Sequence, residues 1–184
     1  MTFDSMAKQL AGRDSEYYAF FYAARLYEKA GNYFSYASKR YKSAMECAKK
    51  DEHYDNALWY LLNLELKRST ERGIECVKKY CSTWKNPSYF DDFFDALSSA
   101  IFTTGDWQLF QKVFKAIENY ASPSIVSQFA YLSARLIQTN HIKGTQDDMI
   151  NCFKKAYICN GSIYYQNLAK YQLIQHKIDI KSLD

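Results

Sequence analysis

From Asp14 onward, apolar side chains return every three to four positions with polar residues between them, the signature of amphipathic helices. One such run extends from Asp14 or Ser15 to about Gly31. A second, from about Asn32 to Lys50, carries Tyr36, Ala37, Tyr41, Ala44 and Ala48 at that spacing. A third spans about His53 to Arg68, and Ser69 caps a fourth that ends near Trp84. Asn86-Pro87 and Ser122-Pro123 each set a capping residue before a proline at the first helical position. Thr145 to Asp148, after Gly144, reads as a capping box with Asp in place of Glu. Asn160-Gly161-Ser162 stops one helix and caps the next. No segment alternates with period two long enough to form a strand, so the predicted fold class is all-α.

Helix pairs joined by short turns invite a search for internal repeats. Phe20, Ala23, Ala24 and Tyr27 fill the first-helix slots of a tetratricopeptide-like pattern, and Ala37, Tyr41 and Ala44 fill the second-helix slots. Further matches are Ala57, Tyr60, Leu61, Leu64; Phe94, Leu97, Ser98, Ile101; and Phe129, Leu132, Ser133, Leu136 followed by Met149, Phe153, Ala156. Tyr165, Leu168 and Ala169 open a last one. The anchors Phe20, Ala57, Phe94, Phe129 and Tyr165 lie 35–37 residues apart. Small residues let paired helices approach, and aromatic ones fill the groove between successive pairs. The expected architecture is a tetratricopeptide-like α-solenoid over residues 1–184, with about four helix pairs and a C-terminal capping helix. A single domain is expected, with no catalytic domain.

Composition agrees with a packed helical protein. Six Gly and two Pro among 184 residues argue against a turn-rich β-sandwich, and 17% aromatic residues argue against a disordered chain. The net charge of +4 gives no reason to expect nucleic acid. Basic pairs at Lys39-Arg40, Lys49-Lys50, Lys78-Lys79 and Lys154-Lys155 are expected on second helices, as a solvated outer face. The longest apolar run, Tyr17 to Ala24, is far shorter than the roughly 20 residues of a membrane span. Met1 is followed by Thr-Phe-Asp-Ser, with no basic and apolar leader, so no signal peptide is expected. Five cysteines without a C-x-x-C read as free thiols packed as small hydrophobes, which favours a reducing compartment.

Candidate chemistry is sparse. His53, His141 and His176 fall on separate segments without ligand-spaced partners, so no metal is expected, and no phosphate-binding glycine loop or nucleophile motif occurs. The expectation is a non-enzyme without cofactors. Asp91, Asp92 and Asp95 read as acidic residues favoured by a helix N-terminus. Counting outward from the packing anchors puts Tyr18, Phe21, Arg25, Asp55, Leu58, Leu62, Asp92, Asp95, Ser99 and Phe102 on the inner face, where solenoids bind partners. Tetratricopeptide adaptors that hold acidic chaperone tails carry Lys, Asn and Arg at such positions. Phe21, Arg25, Leu58 and Leu62 stand there instead, so that clamp is absent.

The runs Phe21-Tyr-Ala-Ala-Arg-Leu-Tyr-Glu-Lys-Ala-Gly31, Asp55-Asn-Ala-Leu-Trp-Tyr-Leu-Leu62 and Trp84-Lys-Asn-Pro-Ser-Tyr-Phe-Asp-Asp92 resemble the helical superhelix of soluble lytic murein transglycosylases. The resemblance covers about Tyr17 to Ile137. It implies a non-catalytic scaffold that would work with peptidoglycan and a separate lysozyme-like catalytic domain, in the periplasm or cell envelope. The family's Glu-Ser active-site pair is missing, so no catalytic residue carries over. The alternative is a stand-alone tetratricopeptide-like adaptor for a protein partner, which the chain as given and its free thiols would place in the cytoplasm.

Overall fold

The computed structural model describes residues 3–183. It is all-helical, with 77% helix, ten α-helices and no strand among the described residues. The reading of the N-terminus as leaderless rests on Met1 and Thr2, which lie outside the described residues. By its internal contacts the chain forms two compact units, Met1–Phe93 and Phe94–Asp184.

The first unit holds α1 (Phe3–Gln9), α2 (Asp14–Lys29), α3 (Phe34–Cys47), α4 (Asp51–Arg68), α5 (Thr70–Tyr80) and a 3-10 turn (Pro87–Phe90). Each helix packs on the next in sequence, and α4 also touches α2 and the 3-10 turn. Ala23, Ala24, Ala37 and Ala44 are fully or almost fully buried, and their lack of bulk brings α2 and α3 together. Gly31 takes a φ of +82° between those helices, a left-handed conformation that glycine adopts without steric cost. Ser69 caps α5 by accepting the amide N–H of Arg72.

Tyr41 is wholly buried, with its ring against Tyr60 at 5.8 Å and Phe21 at 5.9 Å. Its hydroxyl donates to Glu28 Oε2 at 2.7 Å, and Lys67 Nζ reaches Glu28 Oε1 at 2.8 Å. Burial alone would raise the Glu28 carboxyl. The bonds from Lys67 and Tyr41, with the Arg25 charge, outweigh it and hold the group below its ordinary value of 4.5. A carboxyl lowered in the folded state contributes stability above its unfolded pKa and loses it as pH falls through the folded one. The melting temperature of Glu28→Gln is therefore expected to lie below wild type at pH 7, with the gap closing below about pH 4.5. Thermal melts between neutral and acid pH measure that convergence.

The division falls within α6 (Asp91–Thr104). The second unit continues through α7 (Trp107–Ile117), α8 (Pro123–Gln138), α9 (Gln146–Ile158), α10 (Ile163–Gln175) and a 3-10 turn (Ile180–Ser182). Here α8 packs against α7, α9 and α10, and α9 against α10. Phe129, with no exposed surface, stacks on Phe110 at 4.6 Å and meets Phe94 edge-on at 5.9 Å. Ser122 caps α8 through the N–H of Ile125, and Thr145 with Asp148 forms a full capping box on α9.

Several expectations shift. The short α1 was not anticipated, and α3 ends at Cys47, so Lys49-Lys50 lies in the link before α4 rather than on a helix. There Lys49 pairs with Asp14 at 3.3 Å and donates to the Gly12 carbonyl. Asn86 makes no side-chain cap, and Pro87 opens a 3-10 turn that precedes α6.

Candidate functional site

Asp55 on α4 organises a surface of the first unit that carries three aromatic rings, Trp59, Tyr60 and Tyr89. Only 2% exposed, its carboxylate accepts the backbone N–H of Lys85 at 2.9 Å and of Asn86 at 2.7 Å. Burial pushes its carboxyl above the usual range, and the two amides pull it part of the way back. These bonds tie the link after α5 to the face of α4. Buried Phe90, 5.0 Å from the Trp84 ring, pins the 3-10 turn there.

The result is a cleft of about 570 Å³ between α4, the turn and the first residues of α6. Asn56, Trp59 and Tyr60 line it from α4; Ser88, Tyr89, Asp91 and Asp92 line it from the other side. Trp59 Nε1 donates to Asp92 Oδ1 at 2.9 Å. The Tyr89 hydroxyl donates to Asn56 Oδ1 at 3.1 Å, and Asn56 Nδ2 donates to the Tyr17 hydroxyl at 3.0 Å. Burial pushes the Tyr17 phenol up to about 12, so it stays protonated. The Arg25 guanidinium sits 4.2 Å from the Tyr60 ring centre and pairs with Glu28 at 3.0 Å. The lining thus offers the Trp59 and Tyr89 rings and the exposed Asp92 carboxylate, while Arg25 and Tyr41 cover the Tyr60 ring.

Of the residues expected on an inner face, Tyr18 is 44% exposed and Asp92 is exposed in this cleft. Tyr18 bonds the imidazole of His53, which stacks on Tyr17 at 4.2 Å. Arg25 is half-buried. Phe21, Asp55, Leu58 and Leu62 are buried, because α4 is packed by α2, α3 and α5 and its apolar face is broader than one stripe. Those four side chains support the fold rather than offer a surface. In the second unit Asp95, Ser99 and Phe102 are exposed; Asp95 accepts from Gln128 Nε2 at 3.2 Å, and the Phe102 ring abuts Trp107 and Phe110. The sequence reading did not single out Asn56 or Tyr89 as site residues, and it met Trp59 only within the resemblance. The signal available was the repeat itself, since Asp92 lies 33 residues after Trp59, and Tyr89 33 after Asn56.

Burial pushes the Cys76 thiol up to about 12 and the Cys47 and Cys152 thiols to about 11, which keeps them protonated and poorly nucleophilic at neutral pH. Among the described residues no three His, Cys, Asp or Glu side chains are grouped to hold a metal ion, and no helix is long and apolar enough to cross a membrane. Comparison with protein families, with curated proteins and with solved structures returned no match.

Proposed function

We propose that this chain is a non-catalytic helical-repeat scaffold of tetratricopeptide-like kind, and that the Trp59–Asp92 cleft holds a basic segment of a partner protein. The repeat is supported by a recurring separation. Side-chain hydrogen bonds join residues 33–36 positions apart in both units: Tyr18 to His53, Trp59 to Asp92, Gln128 to Asp95, Gln138 to Gln172, and Cys159 to the Pro123 carbonyl. Equivalent positions of successive repeats meet in this way when helix pairs stack on a period near that of the anchors Phe20, Ala57, Phe94, Phe129 and Tyr165.

The observation that carries the partner class is the cleft's chemistry. A Lys or Arg side chain gains about 0.5–2 kcal/mol over an aromatic face and about 0.2–1 kcal/mol from a solvent-exposed carboxylate. Several such contacts along an extended segment give a dissociation constant on the order of 1–100 μM. Calorimetry with Lys/Arg-rich peptides, their lysine-acetylated counterparts and acidic controls tests the reading. The basic peptides are expected to bind, the others not, and Asp92→Asn is expected to weaken binding about 2–5-fold. Equal binding by acetylated peptides, or none by basic ones at about 1 mM, would refute it.

A second reading has the chain as the scaffold part of a lytic murein transglycosylase. It is favoured by the exposed Tyr89 and half-buried Trp59 rings beside Asn56 and Asp92, a pairing of flat apolar faces with hydrogen-bonding groups that suits a glycan. Co-sedimentation with purified peptidoglycan sacculi, lost in Trp59→Ala, is its expected result.

A further inference from the structure

The second unit has a cleft of its own, of about 510 Å³, between α7, α8 and α9. Its lining includes Ser133, 1% exposed, whose hydroxyl has no hydrogen-bond partner among the described residues. A buried hydroxyl left unpaired is destabilising, and native proteins keep few such groups. Ser133 is also one residue type among many that would satisfy the small-residue slot of the repeat; alanine would fill that slot without the unpaired oxygen. Phe114 and Ile137 supply apolar wall beside it.

Three cations complete the lining. Lys115 comes from α7, Lys155 from α9, and Lys143 from the link between α8 and α9. That link is held close because Gly144 lies against Ile137, where a Cβ would come within 2.9 Å of the isoleucine side chain. Two carboxylates share the cleft, but both are engaged. Asp148 Oδ2 takes the Thr145 N–H and hydroxyl of the capping box, and Glu118 sits 3.8 Å from Lys155. Among the described residues the cleft's one ion pair within 4 Å is that of Lys155 with Glu118, while the Lys115 charge acts on Asp148 from farther off. The volume falls in the range of small-molecule sites, and the pairing of apolar wall with a few convergent polar groups is their usual makeup.

We propose that this cleft binds a small oxyanion with an apolar body, a phosphate monoester or a carboxylate. The oxyanion lies among Lys115, Lys143 and Lys155 and accepts the Ser133 hydroxyl, while the apolar body rests on Phe114 and Ile137. The unpaired hydroxyl is then a cost that the empty protein carries and the ligand removes.

Amide chemical-shift titrations of the full chain with phenyl phosphate, phenylacetate and the neutral 2-phenylethanol test this. Both anions, or one of them, are expected to shift the Ser133, Asn151 and Lys155 signals to saturation, and the tighter of the two names the ligand's charged group. The alcohol is expected to leave them unmoved. Lys115→Ala/Lys143→Ala, changing two exposed side chains, is expected to keep the wild-type melting temperature and to lose about tenfold or more in affinity. Ser133→Ala carries the more distinctive expectation. Its melting temperature is expected to rise by about 2–4 °C as the unpaired group disappears, while its affinity for the anion falls about 3–10-fold. The proposal is overturned by absence of saturable shifts up to about 10 mM anion, by equal binding of the alcohol, or by a Ser133→Ala protein that binds as tightly as wild type.

Discussion

Gly161→Ala is expected to melt about 6–12 °C below the wild-type protein, a large effect for one methyl group. Gly161 lies between α9 and α10 with its backbone pressed onto the start of α8. A Cβ there would collide with the Pro123 carbonyl, falling 2.6 Å from its carbon and 2.7 Å from Ser127 Cβ. The obstacle is helix backbone, not the far end of a flexible side chain, so relief requires α9 and α10 to move against α8. Overpacking of that kind costs about 3 kcal/mol, toward the upper end of its range. Ser127 donates to the Ala156 carbonyl at 3.2 Å in the same contact, and that bond would be strained with it. Differential scanning calorimetry of the variant measures the shift. An unchanged melting temperature would mean that the α8–α9–α10 packing described here is wrong.

Phe129→Ala is expected to cost about 3–5 kcal/mol. Its ring has no exposed surface and fills the space between Phe94 and Phe110, so truncation leaves a cavity lined by aromatic carbon that water cannot usefully fill. Phe102→Ala provides the contrast. That ring touches Trp107 and Phe110 but is 41% exposed, and its removal is expected to cost only about 1 kcal/mol. Urea denaturation of the two variants, at equal m-value, gives both numbers directly. Equal losses would place Phe129 outside the core and would break the register in which it stands for Phe94 and Tyr165.

The helices were legible in the sequence wherever their signals were local. Ser69, Ser122 and the Thr145–Asp148 box cap as their spacing demands, because a side chain reaching an amide three residues on depends on nothing beyond the segment. Asn86-Pro87 carries the same local signal and behaves differently. The Asn86 amide is taken by Asp55, 31 residues earlier, and the chain forms a 3-10 turn before α6 begins. A partner at that distance leaves no mark on a local pattern. The inner-face assignment failed at Leu58 and Leu62 for a related reason. Counting from Ala57 gives a helix with one buried stripe, whereas α4 is enclosed by α2, α3 and α5. Two leucines four apart on that supposed open face were the available hint. Ser133 is the opposite case: the sequence reading placed it as a small packing residue, and only the surrounding helices show that its hydroxyl has nothing to bond.

The measurement that bears most directly on the proposed function is the indole N–H signal of Trp59. The chain's three tryptophans give three indole probes, and only that of Trp59 lines the cleft, bonded to Asp92 at 2.9 Å. On titration with a Lys/Arg-rich peptide, that signal is expected to move to saturation while those of Trp84 and Trp107 stay in place. In Asp92→Asn the movement is expected to shrink in step with the weaker affinity. A Trp59 signal that stays fixed throughout the titration, or moves no more than the other two, would contradict the account.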